Sequence, residues 1–146
     1  DGAMYECAAI TIFLWDRHQD TKLAPAPNSP LRSLFLQTLV YFSSSIQTAF
    51  QQDYHPYRFA DKIEDEPGAQ RRGQKRLLET LQIIDYQIGE NKWILGECFS
   101  AADIYLYMLT TWLKPSREHP ELSNFPNVQR IAKQTGVRPS IKLVYG

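Results

Sequence analysis

The segment 100–113 constrains the fold more than any other, because it is apolar or aromatic almost all the way round. Ala101, Ala102, Ile104, Tyr105, Leu106, Tyr107, Met108 and Leu109 give a helix no polar face, and such a helix belongs at the centre of a bundle. Its start is equally well marked. Ser100 and Asp103 have the spacing of a capping box. The Ser hydroxyl can accept from the backbone N–H of Asp103, and the Asp carboxylate from the backbone N–H of Ser100. Phe99 and Ile104 sit at the flanking staple positions. A helix begun inside a core has no water for its first N–H groups, so the pair is read as structural and Asp103 not as a catalytic acid.

The other apolar patterns are also helical. Leu31, Phe35, Leu39, Phe42, Ile46 and Phe50 share one face of a long helix, with Ser29 as its N-cap, Pro30 at its first position and an end near 54–56. A polar loop is expected over 58–68. A second long helix follows over 69–88, with Leu77, Leu81, Ile84 and Ile88 buried and Gly89 closing it. Arg71, Arg72, Lys75, Arg76 and Glu79 read as its solvated face, with a basic binding surface as the alternative. Shorter helices are expected over 127–134 and 139–145. Near the start, 6–17 reads as a helix with Ala8, Ala9, Ile12 and Phe13 on its apolar side. The segment 18–28 reads as a linker held extended by Pro25 and Pro27. Asp1-Gly2 is a hairpin signal, with 3–5 as its second strand; an ordinary disordered terminus is the alternative.

Composition excludes several function classes. The 146 residues carry sixteen basic and sixteen acidic side chains, so there is no electrostatic footprint for nucleic acid or an anionic membrane. No apolar run is long enough to span a bilayer. The three histidines lie far apart and no CxxC or HExxH is present, so no metal is expected. Two isolated thiols, Cys7 and Cys98, suit a reducing compartment such as the cytoplasm.

The capping box lies in W-I-L-G-E-C-F-S-A-A-D-I-Y-L, starting at Trp93, and this stretch resembles the helix-initiating motif of the C-terminal domain of glutathione transferases. Tyr5-Glu6-Cys7-Ala8-Ala9-Ile10 resembles the end of that family's thioredoxin-like domain, where Glu-Ser, a small residue and Ile open a helix. The proline-bearing linker and the Ser-Pro-x-Arg helix start follow in the family's order, and 53–59 looks most like bacterial members. The resemblance implies a mainly α fold: a helical bundle with a truncated thioredoxin-like α/β remnant at its N-terminal end. The organisation it implies is a remnant over 1–20, a linker over 21–28 and an all-helical domain over 29–146.

The implied function is conjugation of the glutathione thiol to a small hydrophobic electrophile. The alternative is a non-catalytic binding or assembly module on the same fold. Glutathione would be the co-substrate, and the complete protein a homodimer. The thiol-activating residue is expected upstream of Asp1, so the chain alone is expected to be inactive. Glu6 and Cys7 match the pair that holds the γ-glutamyl end of glutathione, with Cys in place of the family's Ser. A reactive thiol or a plain structural Cys are alternatives for Cys7. Gln47 falls where the bacterial class that uses Cys has a His, which sets the chain apart from that class. Gln47 and Trp112 are the electrophile-pocket candidates, with a core or interface role as the alternative for Trp112.

Overall fold

A computed structural model describes residues 2–146. Seven α-helices follow one another among them: α1 (Cys7–Arg17), α2 (Arg32–Tyr41), α3 (Gln47–Tyr54), α4 (Glu66–Ile88), α5 (Ala101–Thr111), α6 (Pro126–Gly136) and α7 (Pro139–Tyr145). None of the helices among the described residues is long and apolar enough to cross a membrane.

The helical rod over 32–54 is interrupted by one wide π turn, Phe42–Ile46. Ser43 and Ser44 sit in that turn and both hydroxyls donate to the carbonyl of Val40. Such back-bonding competes with the regular ladder and bends helices. The apolar face persists through the turn: Phe35, Leu39, Phe42, Ile46, Ala49 and Phe50 are all buried. The rod begins later than its sequence suggests. Ser29 Oγ accepts from Leu31 N at 3.2 Å, closing a tight turn, and the α-helix starts only at Arg32. Arg32 then forms a two-point ion pair with Asp16 of α1 at 2.8 and 2.9 Å and donates to the Pro25 carbonyl. One side chain thus fixes α1, the connecting segment and α2 together.

α4 packs along α3 with Gly73 at the crossing. A Cβ added there would lie 2.8 Å from Asp53 N, 3.0 Å from the Gln52 carbonyl carbon and 3.1 Å from Ala49 O, all backbone. Gly73→Ala is therefore expected to destabilise the protein by about 1–3 kcal/mol through overpacking. Helix propensity alone would make the same change stabilising by about 1 kcal/mol. The sign of the shift in a urea unfolding midpoint decides whether the close crossing or the propensity dominates.

α4 also starts one turn earlier than expected. Glu66 and Pro67 open it, and the segment before it holds two short 3-10 turns, Pro56–Arg58 and Ile63–Asp65, rather than a plain loop. Arg71, Arg72, Lys75, Arg76 and Glu79 all face solvent. Asp85 of α4 caps α6, accepting from Asn127 N at 2.8 Å and Val128 N at 2.9 Å. Arg130 of α6 in return donates to the Gly89 carbonyl beyond the end of α4, at 2.8 Å.

α5 lies inside this frame but is not covered all round. Ala101, Ala102, Tyr105, Leu106 and Leu109 are buried, whereas Ile104, Tyr107 and Met108 are only half-buried; Ile104 and Met108 border open space beside α1, and Tyr107 meets Tyr145 of α7 edge-on. The segment 3–5, expected as a strand, has no regular structure. An extended segment becomes a strand only by pairing its backbone groups, and among the described residues nothing pairs with it. The hairpin signal Asp1-Gly2 includes Asp1, which lies outside the described residues.

Candidate functional site

The N-terminus of α1 is unusual in two ways. Glu6 stands at its N-cap with φ 71° and ψ 115°, a left-handed conformation that costs a side-chain-bearing residue free energy. Its side chain caps nothing, and among the described residues the first N–H groups of α1 have no side-chain acceptor. Strain of this kind persists where the surrounding structure imposes it, and it clusters at ligand sites. Glu6 and Cys7 are both exposed.

Cys7 faces Gln47, whose Nε2 lies 3.9 Å from the Cys7 sulfur. The Gln47 Oε1 accepts a short hydrogen bond from the Tyr105 hydroxyl. Burial pushes the Tyr105 phenol well above its usual range, and the nearby Cys7 and Glu6 add to the shift, so the hydroxyl stays protonated and donates. One amide therefore joins α1, the start of α3 and α5. The π turn Phe42–Ile46 immediately precedes Gln47 and sets where its side chain emerges; π turns inside α-helices are frequent at functional sites.

Gln47 also borders a cleft of about 420 Å³, lined further by Phe50, Tyr54, His55, Trp112 and Lys114. The Trp112 ring meets Phe50 edge-on at 5.5 Å. The Tyr54 hydroxyl donates to the Trp112 carbonyl at 3.0 Å. On the other side of Gln47, Cys7 borders a smaller apolar cleft of about 200 Å³ between α1 and α5. The structure thus brings Glu6, Cys7 and Gln47 to one place, and puts Trp112 in the cleft that Gln47 opens onto.

Behind this wall lies a buried network that was not anticipated from the sequence. Asp53 is fully buried. Its Oδ1 accepts from Gln70 and Gln74 of α4, each at 3.2 Å. Its Oδ2 accepts from Arg117 Nε at 2.8 Å and lies 2.8 Å from His119 Nε2. His119 Nδ1 accepts the Lys114 backbone N–H at 2.9 Å, which fixes the proton of a neutral ring on Nε2, facing the carboxylate. Burial pushes the Asp53 carboxyl up, but the donors from Arg117, His119 and Gln70 outweigh it and hold it below the usual range. The Arg117 guanidinium also lies 4.3 Å from the Tyr54 ring centre. The network ties 112–119, the far wall of the cleft, to α3 and α4.

Ser100 and Asp103 stand apart from the cleft and are buried. Ser100 Oγ accepts from Ala102 N at 3.2 Å, and Asp103 Oδ2 accepts from Ser100 N at 2.8 Å, completing a capping box. Asp103 Oδ1 additionally accepts from Ile94 N at 2.9 Å, and the Leu23 carbonyl accepts from Ala101 N at 2.7 Å. The carboxylate therefore holds the 93–98 turn as well as the helix start.

The glutathione S-transferase C-terminal domain model matches residues 46–134, more than half of the chain. The chain belongs to this family. Solved structures agree with the assignment. A ternary complex of BphK, a bacterial glutathione transferase, superimposes with a TM-score of 0.80 at 26% identity, over 96% of this chain and 66% of that one. A sphingomonad glutathione S-transferase complexed with glutathione gives 0.79 at 26% identity, over 96% and 65%. A Sulfitobacter homologue with bound glutathione gives 0.87 over 99% and 68%, at 19% identity, which speaks to the fold alone. The chain spans 65–66% of the length of the first two transferases. Curated proteins gave no match. Within the family fold, Asp53, Arg117 and His119 carried no signal in the sequence, because the residues they join lie far apart along the chain.

Proposed function

We propose that this chain forms part of a glutathione-dependent transferase. The γ-glutamyl end of glutathione would sit at the N-terminus of α1 and a small hydrophobic electrophile in the cleft beside Trp112. The observation that carries the reading is the convergence on Gln47. A strained, uncapped helix start with an exposed carboxylate lies on one side of it and an aromatic cleft on the other.

The chemistry suits the division. Free N–H groups at the start of a helix attract and bind a carboxylate. The Glu6 carboxylate can pair with the ammonium group of the same γ-glutamyl unit. Cys7 supplies a weaker donor than a hydroxyl would. Trp112, Phe50 and Tyr54 offer apolar surface and ring edges to an electrophile, while Gln47 bridges the two halves. The activation of the thiol is assigned to none of these side chains. The same reading makes the full-length protein a cytoplasmic homodimer, consistent with two exposed free thiols.

Glu6→Ala in the full-length protein is expected to weaken glutathione binding by about tenfold to a hundredfold, in line with about 1.5–3 kcal/mol for a charged hydrogen bond. The measurement is a calorimetric titration, accompanied by a melting curve to show an unchanged fold. Unchanged affinity would remove glutathione from the start of α1.

A further inference from the structure

The polar groups around the Trp112 cleft are unequal in sign. His55 and Lys114 stand at its mouth, and among the described residues no Asp or Glu side chain lines it. The nearest buried carboxylate, Asp53, has both oxygens occupied by Gln70, Gln74, Arg117 and His119. Among the described residues the Lys114 ammonium has no ion-pair partner. The backbone that carries it is nevertheless fixed. The Lys114 backbone N–H donates to His119 Nδ1, and His119 is anchored through Nε2 to Asp53. A cation is thus carried on a pinned stretch of backbone beside an aromatic wall, and nothing in that wall balances its charge.

We infer that the cleft selects aromatic ligands bearing an anionic group, with the ring against Trp112 and the charge toward Lys114. This rests on the reading of the cleft as the electrophile's place and narrows it to a substrate class. An aromatic ring fills the apolar part and meets Trp112 and Tyr54 in edge or stacked geometry. A carboxylate on that ring reaches the ammonium at the exposed mouth, where solvent screens the pair and leaves it the modest strength of a surface ion pair. Asp53 and His119 act as positioning residues: they touch no ligand and hold Lys114 and the wall in place.

The test compares naphthalene-2-carboxylate with its uncharged carboxamide by calorimetry on the full-length protein. The carboxylate is expected to bind about fivefold tighter, as one partly exposed charge pair implies. Lys114→Gln is expected to abolish that preference and Lys114→Glu to reverse it. Lys114 is exposed, so neither variant disturbs the core. Trp112→Ala is expected to weaken both ligands. Equal affinity for the two ligands, or a preference that survives in Lys114→Gln, overturns the proposal while leaving the cleft as a neutral aromatic site. Failure of both ligands to bind, or indifference of both to Trp112→Ala, overturns the cleft reading along with it.

Discussion

Asp53→Ala is expected to be the most damaging single substitution in the chain, costing about 3–5 kcal/mol, because it removes the acceptor from a buried charged network and strands its donors. The fully buried carboxylate is met by four side chains. Removing it leaves His119, also buried, and the two glutamine amides without that partner, and leaves Arg117 with the Asp53 carbonyl at 2.9 Å and the Tyr54 ring. Asp53→Asn is expected to cost less, since one oxygen remains, but its amide N–H groups would face other donors. Both variants should lower the chemical unfolding midpoint.

The pH dependence follows from the direction of the shift. The folded carboxyl is held below its ordinary value, so its contribution is complete above the unfolded value of about 3.9 and is lost as pH falls through the lower folded value. The wild-type protein is expected to lose stability across that acidic window, and Asp53→Asn to lose less. Asp103 works in the opposite sense. Burial raises its carboxyl despite the donors from Ile94 and Ser100, so protonation favours the folded state. Equal acid sensitivity in wild type and Asp53→Asn would show that the network does not govern acid unfolding.

Asp103→Ala is expected to cost about 2–4 kcal/mol, because two buried backbone N–H groups lose a charged acceptor. Those groups belong to Ile94 and Ser100, so the 93–98 turn and the start of α5 should loosen together. Ser100→Ala is expected to cost about 1–2 kcal/mol, the upper part of the N-cap range. The double variant should cost less than the sum, since each residue completes the other's limb of the box. Thermal unfolding of the three variants gives the coupling. Any folded fraction should bind glutathione as the wild type does. A variant with unchanged melting and lost activity would make Asp103 a catalytic acid.

The elements legible in the sequence were those whose cause is local. The helix start at Ser100 could be read because both partners lie within one turn. The apolar face of Phe35, Leu39, Phe42, Ile46 and Phe50 could be read because it repeats along one rod. Pro67 is a local signal for an earlier start: a proline is tolerated in a first helical turn, and α4 begins at Glu66 rather than at Ala69. Ser29-Pro30 misled by a few residues because a turn can use the same Ser hydroxyl before the helix begins. The π turn has no marker beyond three consecutive serines.

What could not be read depends on tertiary contact. Gly73 looks like a weak point in a helix until the backbone of α3 is seen against it. Asp53 looks like a surface acid at the end of a helix until Arg117 and His119 fold back onto it. Placing Glu6, Cys7 and Gln47 required the family resemblance, and their meeting with Tyr105 is a property of packing between α1, α3 and α5.

A crystal structure of the full-length protein with S-benzylglutathione tests the account most directly. It should show the γ-glutamyl carboxylate at the N-terminus of α1, the ammonium group beside Glu6, and the benzyl ring against Trp112 in the cleft bordered by Gln47. A γ-glutamyl unit bound away from Glu6 and Cys7, or a benzyl ring outside the Trp112 cleft, would contradict it.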